Sequence, residues 1–325
     1  MILALVEHDR DRLNALSLQT LTFGRGLAND ADDRLEAVLI GAEALQLADA
    51  LGPYGVSMAH VVEHGGLDEY APGAWAECVV QLMAAARPQV VIAAGTERGH
   101  EVMAHVAART ELPLAANCTA AQPGEPFRVT RQRWGGSLLE EAHLGGAVKL
   151  MTIAPHAVQA EPSAQPGPVP VAPFFPTLAD KDFRVRVTDR MEKAGGKGSL
   201  TEARVVVGGG RGVGSAEGFG ALEELAGLLG GIVGCSRAVT SAGWRPHSDQ
   251  IGQTGVRIAP DIYIACGISG ATQHIVGCKG AKHILVINTD AEAPILARAD
   301  YAVIGDVRQV VPALVAEIRR ATTPE

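Results

Sequence analysis

Residues 243–306 read GWRPHSDQIGQTGVRIAPDIYIACGISGATQHIVGCKGAKHILVINTDAEAPILARADYAVIGD. Three apolar runs, Ile262–Cys266, His283–Ile287 and Tyr301–Ile304, read as strands. Each gives way to small or polar residues: Gly267-Ile268-Ser269-Gly270, then Asn288-Thr289-Asp290, then Gly305-Asp306. In an open parallel sheet, ligands bind beyond the carboxyl ends of the strands. This one stretch therefore offers three successive strand ends to a single crevice.

Upstream, Ala203–Val207 reads as a strand running into Gly208-Gly209-Gly210-Arg211-Gly212-Val213-Gly214-Ser215, and Phe219–Leu229 reads as the helix after it. Glycines let the backbone approach a ligand, and a helix start suits phosphate. The dinucleotide fingerprint is not met, because Gly210 and Gly212 require Gly or Ala where Ser215 stands. The next strand, Gly231–Gly234, ends in Cys235-Ser236-Arg237. An NAD site usually has an acidic residue there to hold the ribose, so NAD is disfavoured. NADP with Arg237 on a phosphate, a cofactor held in another way and a structural arginine all stay open. Gly267–Ala271 differs from the nucleophile elbow at its last position, and an anion-binding helix start with Gln273 and His274 in its first turns fits better. His274, Cys278 and His283 do not share one helical face, and His60 with His64 and His100 with His105 are equally weak as metal pairs. The polar, glycine-flanked Ile251-Gly252-Gln253-Thr254-Gly255 reads as a functional loop.

The first half alternates strands and helices: Ile2–Val6, helix Asn14–Leu27, Ala37–Ile40, helix Ala42–Leu51, Val56–Val62, helix Ala74–Ala86, Gln89–Ala94, a helix from Gly95 through Ala108, and a short Leu114–Ala116. Such alternation predicts a parallel sheet flanked by helices. Gly95–Gly99 either cradles a phosphate or makes a tight strand-to-helix turn, and its spacing favours the turn. Phe127–Gln132, the Gly135-Gly136 turn and Val148–Ile153 read as β-rich structure at the edge of this domain. Six prolines between Glu161 and Pro176 predict an extended surface segment. Phe183–Val187 reads as an edge strand, and Lys193–Ser199 as a flexible joint.

With 325 residues the chain suffices for roughly two domains of about 150 residues. Its hydrophobic share of 47% against 20% charged residues supports buried cores and excludes disorder. A net charge of -8 without a Lys/Arg run argues against nucleic acid. No apolar stretch nears the ~20 residues that span a bilayer. Neither a signal nor a transit peptide is legible at Met1, which predicts a cytoplasmic protein. Five cysteines without a C-x-x-C pair predict neither a disulfide framework nor a zinc site.

Gly208–Asp306 resembles the C-terminal domain of electron-transfer flavoprotein alpha subunits. The resemblance rests on Gly209-Gly210-Arg211-Gly212, Ser236-Arg237, Gln250–Gly255, Tyr263–His274, Ile287-Asn288, Ala293-Pro294 and Ala299-Asp300-Tyr301 in matching order. The first half matches more loosely, mainly in Leu5-Val6-Glu7-His8. The resemblance implies FAD in the second domain, an electron-transfer flavoprotein beta subunit as partner, and AMP or a second FAD in that partner. Its implied FAD contacts are Arg211, Ser236, Arg237, Ile251, Gly252, Gln253, Thr254, Ser269, Gly270, Ala271, Thr272, Gln273, His274, Asn288, Asp306 and Val307. Ser269–Gln273 would hold the pyrophosphate, and Asn288 and Asp306 the adenosine half. Thr254 would bond flavin N5. Arg237 and His274 would place positive character beside the flavin, so that Arg237, Thr254 and His274 carry the redox role. One departure is Thr289, where the family commonly has Lys.

The implied organisation is α/β with two domains, each a mainly parallel sheet flanked by helices. A nucleotide-binding-like domain over 1–190, with the Pro-rich segment, contacts the beta subunit; a joint spans 191–201; the FAD-binding domain spans 202–325. The implied function is single-electron transfer, as in fatty acid oxidation, from flavin dehydrogenases such as acyl-CoA dehydrogenases to a quinone oxidoreductase or another acceptor. Bifurcation from NADH stays open. The alternatives are an NADP-binding oxidoreductase subunit, which Arg237 alone permits, and a nucleotide-binding sensor with no reducible cofactor.

Overall fold

Strand β1 (Ile2–Val6) is buried along its whole length, as an uninterrupted apolar run in the middle of a parallel sheet should be. The computed structural model describes residues 1–9, 12–41, 43–189 and 199–322. Contacts divide the chain into two units, Met1–Met191 and Glu192–Glu325. In the first, β1 leads through the ribbon of β2 (His8–Asp9) and β3 (Arg12–Leu13) to α1 (Ala15–Asp30), β4 (Leu35–Ile40), α2 (Ala44–Leu47) and β5 (Met58–Val62). Then come α3 (Pro72–Ala86), β6 (Val90–Ala94), α4 (Glu97–Thr110), β7 (Leu114–Gln122), β8 (Arg128–Arg133), β9 (Leu138–His143), β10 (Lys149–Ile153) and β11 (Val171–Phe174).

The sheet order is β11-β5-β4-β1-β6-β10-β7-β8-β9. Pairing is parallel from β11 to β7 and antiparallel from β7 to β9. Side chains alternate across β1. Ile2, Ala4 and Val6 join Leu21 and Leu27 of α1, while Leu3 and Leu5 join Val79 and Leu82 of α3 and Val102 of α4. Helix α1 starts where Asn14 Oδ1 accepts from the Leu16 amide at 2.8 Å, a side-chain cap for an otherwise orphaned donor.

The second unit runs β12 (Val205–Gly209), α5 (Phe219–Leu228), β13 (Ile232–Cys235), α6 (Arg237–Ser241), β14 (Ile262–Cys266), α7 (Thr272–Cys278), β15 (His283–Asn288), β16 (Tyr301–Ile304) and α8 (Val307–Thr322). Its sheet, β13-β12-β14-β15-β16, is parallel throughout. Phe219 and Leu222 of α5 and Val311 and Val315 of α8 cover one face, and Ile251, Ile258, Ile268 and Ile295 fill the other. Both units are thus α/β with mainly parallel sheets, as expected.

Three local expectations change. Phe183–Val187 is not a strand. Asp180–Phe183 is a 3-10 turn, held because buried Asp182 accepts from the Ala179 amide at 3.0 Å and from Arg109 Nη2 at 3.0 Å. The edge strand is instead β11, inside the Pro-rich segment, where Pro173 is tolerated because an edge strand has one unpaired side. Leu114–Ala116 grows to nine residues because antiparallel β8 gives its second half a partner. Most of the joint expected at 191–201 lies outside the described residues.

A buried ionic cluster links β4 and β5. Glu36, 3% exposed, receives Arg34 Nε and His60 Nε2, each at 2.6 Å. Burial pushes its carboxyl up, but the hydrogen bonds from Arg34 and His60, with their charges, outweigh this and hold it below its ordinary 4.5. A depressed carboxylate adds stability that is complete above about pH 4.5 and is lost as pH falls through the lower folded value. We expect Glu36→Gln to cost about 1–3 kcal/mol at pH 7 and to flatten the acid limb of the stability profile. Urea unfolding from pH 7 to pH 3 measures both, and a parallel shift of the whole profile would refute the linkage.

Candidate functional site

The register of the second sheet brings Cys235, Gly209, Cys266, Ile287 and Val303 into one row across neighbouring strands. Beyond that row the chain leaves as Gly210-Arg211, Ser236-Arg237, Gly267–Gly270, Asn288–Asp290 and Gly305-Asp306. The five strand ends therefore share one edge, two more than the opening stretch alone supplies. β12 connects to its neighbour β13 on one side, and β13 connects across to β14 on the other. The switch point, where such folds open a crevice, falls between β12 and β14.

At that point two backbones meet. Gly210 N donates to Cys266 O at 2.8 Å and Gly212 N to Gly267 O at 3.1 Å. A Cβ on Gly210 would lie 2.1 Å from Gly267 O. Gly267 has φ +63°, and a Cβ there would lie 2.6 Å from Gly212 Cα. Only glycine meets both demands.

Arg211 and Arg237 are exposed, and neither guanidinium group has an ion-pair or hydrogen-bond partner among the described residues. Ser269, Ala271, Thr272 and Gln273 are exposed at the start of α7, and Gly270 is buried. No side chain caps α7; the His274 amide donates to Ala271 O at 2.8 Å, so the open donors that a helix start has are those of Thr272 and Gln273. The functional loop is tied down at its start and at its middle. Ile251 N donates to Cys235 O at 2.8 Å, and Gln253 N to Gln273 O at 2.8 Å. Gly252 has φ +151° and lies against Gln273 and His274.

Gln250, 1% exposed, was not among the expected site residues. Its Oε1 accepts from Thr240 Oγ1 at 2.7 Å, and its Nε2 donates to Thr254 Oγ1 at 3.0 Å. That orientation makes Thr254 an acceptor on one side and frees its exposed hydroxyl proton for another partner. The only sequence signal was Gln250's place beside Ile251–Gly255.

Other expected residues turn inward. Ile251 and Val307 put their side chains in the core, which leaves their backbones for any contact. Asn288 is buried; its Nδ2 donates to Ile268 O at 2.9 Å and its Oδ1 accepts from Asp290 N at 3.1 Å. It braces the β14 and β15 loops against each other. Asp306 accepts from Arg308 Nη2 at 2.7 Å, and that bond holds its carboxyl below the ordinary range.

The expectation of a positive His274 is corrected. Its ring is 6% exposed, and burial pulls its pKa down to about 4, opposed in part by the nearby Ile251 backbone. At pH 7 it is a neutral imidazole. Its Nε2 lies 2.8 Å from the Tyr263 hydroxyl, and its buried Nδ1 has no hydrogen-bond partner.

The first unit has a comparable reversal of strand order between β1 and β6, and the chain's own side chains meet there. Thr96 caps α4 by accepting from Gly99 N at 2.8 Å and donates to buried Glu7 Oε1. Burial raises the Glu7 carboxyl, against the Thr96 hydrogen bond and the Arg98 charge. Gly95–Gly99 is thus the tight turn, its helix start capped by Thr96 and set beside that carboxyl.

Comparison with known proteins agrees with this division. Residues 2–174 match the model of the electron transfer flavoprotein domain, and residues 199–279 that of the electron transfer flavoprotein FAD-binding domain. The chain is 37% identical over 320 residues to the electron transfer flavoprotein subunit alpha of Mycobacterium tuberculosis, covering 98% of each chain. It is 32% identical over 317 residues to that of Thermoanaerobacterium thermosaccharolyticum, covering 97% of this chain and 96% of the relative. It is 33% identical over 327 residues to the protein FixB of Bradyrhizobium diazoefficiens, covering 98% of this chain and 89% of the relative. The chain belongs to the electron transfer flavoprotein alpha subunit family. The residues present fit an FAD: partnerless guanidinium groups and open helix amides suit its phosphates, and the orphaned Nδ1 of His274 awaits a polar partner.

The glycine contact carries a test. Gly267→Ala is expected to destabilise the second unit by more than about 1 kcal/mol, through its positive φ and the clash with Gly212. Gly227→Ala, in α5 with open space around it, is expected to stabilise by up to about 1 kcal/mol. Urea denaturation of the two variants side by side would disprove the contact's role if they matched.

Proposed function

We propose that this chain is the FAD-binding alpha subunit of a heterodimeric electron-transfer flavoprotein, shuttling single electrons from flavin dehydrogenases such as acyl-CoA dehydrogenases to a quinone oxidoreductase. The observation that carries the reading is the single edge of five parallel strand ends with Arg211 and Arg237 exposed on it and partnerless. When bound, FAD supplies the one-electron redox chemistry. The chain's own groups hold and tune it. The amides at Ser269–Gln273 receive the pyrophosphate, and the β15 and β16 ends near Asn288 and Asp306 hold the adenosine half. Thr254, oriented by Gln250, donates its free hydroxyl proton to the flavin ring. Arg237 supplies positive charge where reduction develops negative charge.

Residues 202–325 form the flavin-holding body and residues 1–190 the part that meets the beta subunit, with 191–201 as the joint. No helix among the described residues is long and apolar enough to cross a bilayer. A cytoplasmic setting suits the five cysteines, all free and buried.

Co-expression with the beta subunit is expected to give a yellow complex that accepts electrons from an acyl-CoA dehydrogenase. A colourless complex carrying NADP would reject the reading. Arg237→Ala is expected to lower the flavin midpoint potential by on the order of 20–60 mV, equivalent to about 0.5–1.4 kcal/mol per electron. A reductive titration superimposable on that of the native complex would remove Arg237 from its role.

A further inference from the structure

The pair Tyr263 and His274 has one bond and one orphan, and together they determine where a proton sits. Tyr263 is fully buried, at 0% exposure. Its hydroxyl has a single hydrogen-bond partner among the described residues, His274 Nε2 at 2.8 Å. A Cβ on Gly208 would come within 2.3 Å of that hydroxyl, so the β12 backbone closes the space on that side. The His274 ring's other nitrogen, Nδ1, is equally buried and has no partner. The neutral ring carries one proton, on one nitrogen or the other.

Two arrangements are possible. If Nε2–H donates to the tyrosine oxygen, the Tyr263 O–H is a buried donor with no acceptor, and Nδ1 is a buried acceptor with no donor. If the Tyr263 O–H donates to Nε2, the phenol is satisfied and only Nδ1–H remains open. An unsatisfied buried polar group is costly, so the second arrangement is favoured by one such group. Burial also keeps the phenol protonated, with its pKa well above the usual range. The Ile251 backbone borders the ring, and the functional loop meets the start of α7 there, where Gln253 N donates to Gln273 O at 2.8 Å.

We propose that Tyr263 fixes the tautomer of His274: its hydroxyl donates to Nε2, the ring proton is held on Nδ1, and that N–H is a directed donor for an acceptor atom of the bound flavin. This rests on the flavin reading above. Tyr263 is a positioning residue, since it acts through the imidazole. His274 then serves as a hydrogen-bond donor and not as a cation.

The test uses the native complex with the beta subunit, labelled with 15N-histidine. The His274 ring, identified by the signals that vanish in His274→Asn, is expected to show a protonated Nδ1 and an unprotonated, hydrogen-bond-accepting Nε2. Tyr263→Phe is expected to move the ring toward the other tautomer and to speed FAD release about three- to tenfold, the loss of roughly one hydrogen bond. His274→Asn places an amide N–H at the Nδ1 position that needs no partner to orient its proton, so adding Tyr263→Phe to it should change FAD release no further. A protonated Nε2 in the native complex overturns the proposal. So does a Tyr263→Phe ring spectrum that matches the native one, or full additivity of the two substitutions. A complex without flavin would sink the flavin reading alone, because the ring signals in that same complex still report the tautomer. If Tyr263→Phe fails to fold, the native ring signals decide.

Discussion

The second unit depends on a contact between two backbones that have no side chains in the way. Gly210 and Gly212 close on Cys266 and Gly267 through amide–carbonyl bonds of 2.8 and 3.1 Å. The contact ties the end of β12 to the end of β14 at the point where the strand order reverses. On one side the chain leaves toward Arg211, and on the other it turns through Gly267 into the open start of α7. Had either backbone carried a Cβ here, the two strand ends would be forced apart. The cationic side chain and the helix amides would then no longer face a common ligand.

Much of this was legible in the sequence, for a local reason. Ile262–Cys266 and Tyr301–Ile304 are apolar runs bounded by glycine or polar residues, so both ends of each strand are marked in the chain itself. The strand ends follow directly, and with them the residues from Arg211 to Asp306 that share the edge. What stayed hidden depends on partners distant in sequence. β11 is a strand because β5 offers it an edge, while Phe183–Val187 is not one because Arg109 and the Ala179 amide hold Asp182 in a turn. Gln250 and Tyr263 are conspicuous only once Thr254 and His274 are seen against them. A histidine's charge is the least legible property, since it depends on burial that no neighbour in the sequence announces.

The two units also show why a fold does not assign a function by itself. Each is a mainly parallel α/β sheet with a reversal of strand order. In the first, Thr96 and Glu7 occupy the helix start at that reversal, so the anion-attracting end of α4 is met by the chain's own carboxyl. In the second, the corresponding place carries glycines, an uncapped helix and two arginines whose guanidinium groups have no partner among the described residues. The difference lies in a handful of side chains, and it decides which crevice can accept a phosphate-bearing ligand.

Charge and direction are divided between surface and interior in the second unit. A charged imidazole at His274 would have to be stripped of water, and burial opposes this strongly enough to bring its pKa to about 4. An exposed guanidinium keeps its hydration and stays ionised at any ordinary pH. Positive potential at the edge therefore comes from Arg211 and Arg237, which stand exposed and need no buried counterion. Beside those arginines stand two neutral groups with hydrogen-bonded partners, the buried His274 imidazole against Tyr263 and the exposed Thr254 hydroxyl against Gln250. Flexible cations attract an anion but do not align it, whereas neutral groups held by hydrogen bonds can orient a ligand without the desolvation cost of a buried ion. A site that must hold one redox cofactor through repeated changes of its charge needs both.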